Sequence, residues 1–184
     1  MQDKGRNILS NERFQLTLDR LCHQIIENYD DLSELCLVGI QERGVLFANR
    51  IYQRLQEISG FDELIYGKLD ITFFRDDFRM RTEPIAAKST EMDFLVEQKK
   101  VLLIDDVLYT GRTIQAAMSA LQQFGRPDFI ELMVLVDRRF NRHLPIKADY
   151  IGITVDALNE SYVKVEWGSR DGKDRILFYS AERN

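Results

Sequence analysis

Cysteine, histidine and proline are scarce in this sequence, which has two, two and three of them among its 184 residues. Cys22 and Cys36 stand alone, without a CxxC pair, so neither a disulfide framework nor a structural zinc site is expected. No apolar run approaches the length of a membrane span, and the polar start MQDKGRN does not resemble a signal peptide. These absences predict a cytoplasmic protein with reduced thiols and no membrane contact.

Two common nucleotide-binding motifs are missing as well. The nearest match to a GxxxxGKS/T loop, at 39–44, continues with Val45 in place of lysine, and no GxGxxG occurs. The net charge of −5 argues against indiscriminate nucleic-acid binding, although a local basic patch is compatible with it. With 184 residues and 45% hydrophobic content, the whole chain (1–184) is expected to form one domain.

The segment VLLIDDVLYTGRT at 101–113 has the strongest pattern in the chain. Its apolar start is typical of a buried parallel strand, and the helical pattern IQAAMSALQQF follows it. Ligands bind at the carboxyl ends of such strands, and helix N-termini attract anions. The TGRT turn therefore predicts a phosphate site, while Asp105 and Asp106 need another partner, such as sugar hydroxyls or a metal. A phosphorylated sugar satisfies both; alternatively, the acids are turn residues and a threonine caps the helix.

The same string resembles the motif that binds phosphoribosyl diphosphate (PRPP) in type I phosphoribosyltransferases. Together with GRP at 125–127, VLVDR at 134–138 and LPIKADYIG at 144–152, it is similar to the PyrR family. Members of that family are pyrimidine-operon attenuators and also uracil phosphoribosyltransferases. The resemblance implies an α/β fold of the type I class, with a central, mainly parallel sheet flanked by helices. A small β hood would be formed largely by residues 148–184.

The resemblance also implies roles for the residues of the motif. Asp105 and Asp106 would be catalytic and hold the ribose hydroxyls. Mg²⁺ would be the cofactor, bound with PRPP, and Asp105 would meet it indirectly through water. The residues after the acids would bind the phosphate of PRPP: Val107, Leu108, Tyr109, Thr110, Gly111, Arg112 and Thr113.

A second loop with similar chemistry follows the apolar strand LCLVGI at 35–40. Its residues 41–44 precede a predicted helix at about 45–58, which makes another anion site at a helix N-terminus. The resemblance assigns Arg43 and Gly44 to the pyrophosphate of PRPP. An ordinary strand–helix connection would also use glycine, so the pattern alone leaves both interpretations open.

A strand is predicted at 68–74, and the polar stretch 75–98 after it has no clear period. Loops of that length are functional lids or surface excursions. We expect a lid over PRPP that includes Arg75 and Asp76. Further on, the resemblance makes Arg138, at the end of a predicted strand 129–137, a substrate-site residue together with Ile151. The stretches 149–153, 162–167 and 175–179 are strand-like, the last after a predicted turn at Asp171–Gly172.

The first predicted helix has an apolar face at helical spacing: Phe14, Leu18, Leu21, Cys22, Ile25 and Tyr29. In the PyrR family, basic residues of this helix are thought to contact RNA, and Arg20 and His23 match that pattern. Arg139 and Arg142 form a second candidate basic patch, although the family's Gly-His-Arg-Glu run is replaced by FNRH here. Solvated surface charges are the alternative for all four residues.

Three functions are therefore open. The first is a uracil phosphoribosyltransferase that makes UMP and pyrophosphate from uracil and PRPP. The second is an attenuator that binds an mRNA leader, senses UMP or UTP and has little enzymatic activity. The third is a purine phosphoribosyltransferase. The resemblance also implies a homodimer or a higher homo-oligomer.

Overall fold

The computed structural model describes residues 5–76, 89–157 and 161–180. A sheet of five parallel strands lies at its centre, in the order β3-β2-β4-β5-β6. Its strands are β2 (Leu35–Ile40), β3 (Ile65–Leu69), β4 (Lys100–Leu108), β5 (Phe129–Arg139) and β6 (Tyr150–Asp156). The helices that follow are α1 (Asn11–Asn28), α2 (Arg43–Ser59) and α3 (Arg112–Leu121).

Helices cover both faces of this sheet, which explains why its inner strands are apolar without alternation. Residues of α1 and α2 pack with Leu102 and Ile104 of β4 in one buried cluster. Residues of α3 pack with Val101 and Leu103, their neighbours on the same strand, in another. All six predicted core residues of α1 are buried, so that prediction is confirmed.

The predicted strand at 68–74 is wrong. β3 begins earlier, at Ile65, and ends at Leu69, while Thr72–Phe74 forms a 3₁₀ turn. The carboxylate of Asp70 accepts hydrogen bonds from the amide of Thr72 (2.9 Å) and from its hydroxyl (2.6 Å). Local bonds of this kind compete with sheet pairing, so the strand stops before the turn.

A second sheet of three antiparallel strands, the hood, has the order β1-β8-β7. It comprises β1 (Arg6–Leu9), β7 (Tyr162–Glu166) and β8 (Arg175–Tyr179), and the short helix α4 (Gly168–Asp171) joins the last two. The prediction that residues 148–184 form the hood is wrong for β6, which pairs with β5 in the central sheet. It also missed β1, whose four residues are too few to show a period.

The expected lid at 75–98 is wrong for its second part. Glu91 pairs with Lys68 through the backbone (2.9 and 2.8 Å), and the side chain of Val96 is fully buried. Residues 89–98 are therefore attached to β3 through Glu91 and to the core through Val96. Residues 77–88 lie outside the described part of the chain. None of the helices in the described ranges has the length and apolarity needed to cross a bilayer.

Candidate functional site

The two acids of the motif lie inside β4, which continues to Leu108, and both are buried. The strand therefore continues for two residues beyond the acids. The amide of Asp106 donates to Oδ1 of Asp105 at 2.9 Å. Leu108 is buried in the hydrophobic cluster that contains α3, and Val107 packs against the cluster that contains α1 and α2, so these two residues offer a ligand little beyond their main chain.

The N-terminus of α2 lies directly against the first acid. A Cβ atom added to Gly44 would be 2.7 Å from the carbonyl oxygen of Ile104 and 3.0 Å from Oδ1 of Asp105. Only glycine permits this approach without displacing β4. The loop predicted to bind pyrophosphate and the acids predicted to bind ribose are thus in contact.

Arg43 makes the second contact between these two segments. Its Nε donates to Oδ2 of Asp106 at 2.8 Å, and its Nη2 donates to the carbonyl oxygen of Val165 in β7 at 2.5 Å. One guanidinium therefore joins α2, β4 and the hood.

Burial and the proximity of the two carboxylates shift the pKa values of both acids. Burial and the charge of Asp106 raise the pKa of Asp105 well above its ordinary value. Burial also raises the pKa of Asp106, and the hydrogen bond from Arg43 opposes that rise. Burial by itself would lower the pKa of Arg43, but its hydrogen bond to Asp106 and the nearby negative charges together outweigh this, and the pKa is raised. Arg43 is therefore the counter-ion of the acids in the folded protein.

The TGRT turn leads from β4 into α3. Gly111 has φ of +92°, a left-handed conformation that favours glycine, and Arg112 is the first helical residue. The carbonyl oxygen of Thr110 accepts from the amides of His143 (3.0 Å) and Leu144 (3.3 Å). The turn is thus held from outside by residues 143–144, and within it the hydroxyl of Thr110 accepts from the amide of Arg112 at 3.4 Å. The N-terminus of α3 favours an anion.

Arg112 and Asp76, predicted as a phosphate ligand and a lid residue, form an ion pair between half-exposed side chains. Arg75, the other described lid residue, precedes Asp76 in the chain and is partly buried. The structure therefore brings the start of the expected lid to residues 109–113 of the predicted phosphate-binding segment, which are called the phosphate turn below. Thr113 follows Arg112 in the first turn of α3 and is partly buried.

Arg142 is not part of an open basic patch. It donates to the carbonyl oxygen of Tyr109 and forms an ion pair with Asp137, and its side chain is mostly buried. Arg139 is exposed and holds Asp156 through two hydrogen bonds of 2.6 and 2.8 Å. Both predicted RNA contacts thus have partners within the chain.

Arg20 also has internal partners. Its Nη2 donates to the carbonyl oxygens of Ile151 (2.9 Å) and Gly152 (2.7 Å), which ties α1 to β6. The carbonyl oxygen of Ile151, a residue predicted to belong to the substrate site, is therefore bound to α1. The fourth predicted RNA contact, His23, is exposed on α1.

Arg138 is buried at the end of β5 and contacts the phosphate turn. Its guanidinium lies 3.9 Å from the centre of the Tyr109 ring, and its Nη2 donates to the carbonyl oxygen of Ser161 at 2.7 Å. Its Nε has no hydrogen-bond partner in the described part of the chain. The predicted substrate residue therefore lies where the phosphate turn and the hood meet, with a donor to spare.

Sequence reasoning missed several partners in the site. Asp137 could have been found from its position at the end of a buried strand, as Asp105 and Asp106 were. The hood carbonyls of Ser161 and Val165 have no signal in the sequence, because any residue type offers a carbonyl.

The described residues contain no group of three or more histidine, cysteine, aspartate or glutamate side chains that could enclose a metal ion. Two carboxylates beside a phosphate site still suit Mg²⁺, which is bound through one or two carboxylates together with substrate phosphates. The residues present thus fit an ion that arrives with a polyphosphate.

Comparison with known proteins agrees with this architecture. Residues 4–169 match the phosphoribosyl transferase domain family. The bifunctional protein PyrR of Elusimicrobium minutum is 44% identical over 169 residues, 92% of this chain and 93% of the relative. The bifunctional protein PyrR of Caldicellulosiruptor bescii is 41% identical over 181 residues, 98% of each chain.

Solved structures share the fold at low identity. The hypoxanthine phosphoribosyltransferase of Trypanosoma cruzi, in complex with IMP, superposes with a TM-score of 0.73 at 14% identity, over 100% of this chain and 98% of that one. A hypoxanthine phosphoribosyltransferase of Staphylococcus aureus gives 0.69 at 22% identity, over 98% and 95%. The predicted type I phosphoribosyltransferase fold is confirmed.

Proposed function

We propose, since this chain belongs to the PyrR family of phosphoribosyltransferases, that it transfers the 5-phosphoribosyl group of PRPP to uracil and releases pyrophosphate. The observation that carries the proposal is a buried pair of acids with the N-terminus of α2 packed against it, on a strand that leads through a short turn into the N-terminus of α3. Gly44 of α2 packs on Asp105, and α3 begins four residues after Leu108. Two anion sites with carboxylates between them match a ribose that bears phosphate groups at two positions.

Each part of PRPP has a partner in this arrangement. The main chain at 110–113 binds the 5′-phosphate, with Val107, Leu108 and Tyr109 shaping the approach. Asp105 and Asp106 accept hydrogen bonds from the ribose hydroxyls. The main-chain amides of Arg43 and Gly44 bind the pyrophosphate. Arg138 and the hood border the base, and Arg75 and Asp76 lie at the entrance.

The chemistry needs positioning and charge stabilisation rather than a protein nucleophile. Displacement at the anomeric carbon develops positive charge on the ribose and negative charge on the departing pyrophosphate. The carboxylates of Asp105 and Asp106 stabilise the first, and the amides at the start of α2 stabilise the second. Asp105 would hold Mg²⁺ through water, and the ion would supply further neutralisation of the leaving group.

The relatives carry the name bifunctional, and the second function in this family is regulation of pyrimidine genes through an mRNA leader. Three of the four predicted RNA contacts have partners within this chain. We therefore place the enzyme first, with UMP or UTP as product and effector in the same pocket. We further propose a cytoplasmic homodimer or a higher homo-oligomer.

A panel of bases with PRPP and Mg²⁺, read out as pyrophosphate release, tests the function. Turnover of uracil supports it, and turnover of hypoxanthine or guanine instead would make the chain a purine enzyme. The double variant D105N/D106N should lose about 10²-fold or more in kcat while it still folds, by analogy with the loss of an oxyanion donor. D128N, at an exposed acid before β5, is the control and should keep full activity.

A further inference from the structure

The Arg43 side chain makes hydrogen bonds within the protein that would not be expected of an arginine whose guanidinium is available to bind pyrophosphate. We propose that its guanidinium is a positioning group, which fixes the Asp106 carboxylate and strand β7 for the ribose, and that it does not bind pyrophosphate. The inference rests on the proposed function and deepens it. Pyrophosphate is then left to the main-chain amides of Arg43 and Gly44.

The geometry commits two of the five N–H donors of this guanidinium to the protein, and these two set its orientation. Nε carries a single proton, and that proton is directed to Asp106 Oδ2 at 2.8 Å. Nη2 donates to the carbonyl oxygen of Val165 at 2.5 Å. Because the guanidinium is planar and rigid, the two bonds fix its orientation together. They connect β4 of the central sheet to β7 of the hood through α2, the helix that carries Arg43.

Turning the guanidinium toward pyrophosphate would break the contact with the acid. The Asp106 side chain is only 10% exposed, so it would lose its charged partner in a buried setting. Leaving a buried charge without its partner is strongly unfavourable. The close packing of Gly44 on Asp105 also holds the start of α2 in place, which keeps Arg43 within reach of Asp106.

A consequence distinguishes the two roles. UMP contains the ribose hydroxyls and the 5′-phosphate but no pyrophosphate. If Arg43 acts through Asp106, its loss weakens the binding of UMP. If Arg43 acts only on pyrophosphate, its loss leaves UMP binding unchanged.

The test is calorimetric titration of UMP into wild type, R43Q, R43K and R50Q. R43Q should bind UMP about tenfold to a hundredfold more weakly, the effect of losing a hydrogen bond to a charged group. R43K keeps the charge but cannot donate to both acceptors, so it should fall between wild type and R43Q. R50Q is the matched control: Arg50 also lies on α2 and bonds the hood through Asp174, but it is not bonded to either acid of β4. R50Q should bind within about twofold of wild type.

Thermal unfolding and steady-state kinetics complete the design. A positioning role predicts that R43Q lowers kcat with PRPP and that R43K restores part of it, at an unfolding temperature close to that of R50Q. If R43Q does not fold, the comparison of R43K with wild type carries the test. UMP binding by R43Q as strong as that of wild type would overturn the inference. If R43Q does not fold, UMP binding by R43K as strong as that of wild type would overturn it. If wild type itself does not bind UMP, the proposed function fails and this inference with it.

Discussion

The guanidinium of Arg138 lies over the ring of Tyr109, 3.9 Å from its centre. Arg138 is buried at the end of β5, and it also donates to the Ser161 carbonyl at the edge of the hood. A buried cation over an aromatic face is stabilised by about 1–2 kcal/mol. This pair therefore couples the position of the phosphate turn to that of the hood.

Removal of the Tyr109 ring should uncouple the position of the phosphate turn from that of the hood. We expect Y109A to lower kcat/KM for PRPP by about tenfold, which corresponds to about 1.4 kcal/mol of lost interaction. Y109F keeps the ring and should stay within about threefold of wild type, since the stacking does not need the hydroxyl. Steady-state kinetics with both variants measures the difference. Equal loss in Y109A and Y109F would assign the effect to the hydroxyl instead of the ring.

Arg139, the last residue of β5, and Arg142, three residues after it, offer a matched pair of arginines. Arg142 holds the Tyr109 carbonyl and Asp137 from a mostly buried position, whereas Arg139 pairs with Asp156 at the surface. We expect R142Q to raise KM for PRPP by about tenfold or more, since a buried charged contact is lost. R139Q should change it less than about threefold, because exposed ion pairs contribute little. Initial rates over a range of PRPP concentrations provide the readout. A larger effect from R139Q would contradict the assignment.

Gly44 should not tolerate a methyl group. Alanine normally stabilises a helix over glycine by about 1 kcal/mol. At this position its Cβ would lie 2.7 Å from a β4 carbonyl oxygen, so we expect G44A to lower the free energy of unfolding by about 1–3 kcal/mol. It should also lower activity, because Asp105 is displaced.

G60A separates this clash from backbone strain. Gly60 has φ of +69° and no atom within 4 Å of an added Cβ. Alanine there should cost about 1–2 kcal/mol of stability while activity is kept. Chemical denaturation and turnover of both variants provide the comparison. Full activity in G44A would show that the contact with Asp105 is not required.

The two thiols should be unreactive in the folded protein. Burial raises the pKa of Cys22 to about 12 and that of Cys36 to about 11, from an ordinary value of 9.0. A thiol reagent at about pH 8 should label neither residue until denaturant is added. Because the folded-state pKa values are the higher ones, their contribution to stability is complete below pH 9.0 and is lost as the pH rises through about 11 to 12. Rapid labelling of the native protein would contradict the burial of these side chains.

The local elements of the site could be predicted because their signals lie within short stretches. The boundaries of β2 match the predicted strand, and α3 follows the TGRT turn as expected. Predictions failed where local bonds or distant pairing decided the outcome. β3 ends at an Asp70 turn, and β6 joins β5 instead of the hood.

The sequence by itself determined the strand–turn–helix unit, the paired acids and the glycine next to each helix start. These depend on periodicity and on the chemistry of neighbouring residues. Only the tertiary structure decided which partner each arginine takes. Arg43 reaches Val165 and Arg20 reaches Gly152 across more than a hundred residues of chain. Such pairings arise from the packing of whole elements, and a guanidinium in the sequence carries no sign of the carbonyl or carboxylate that it will meet.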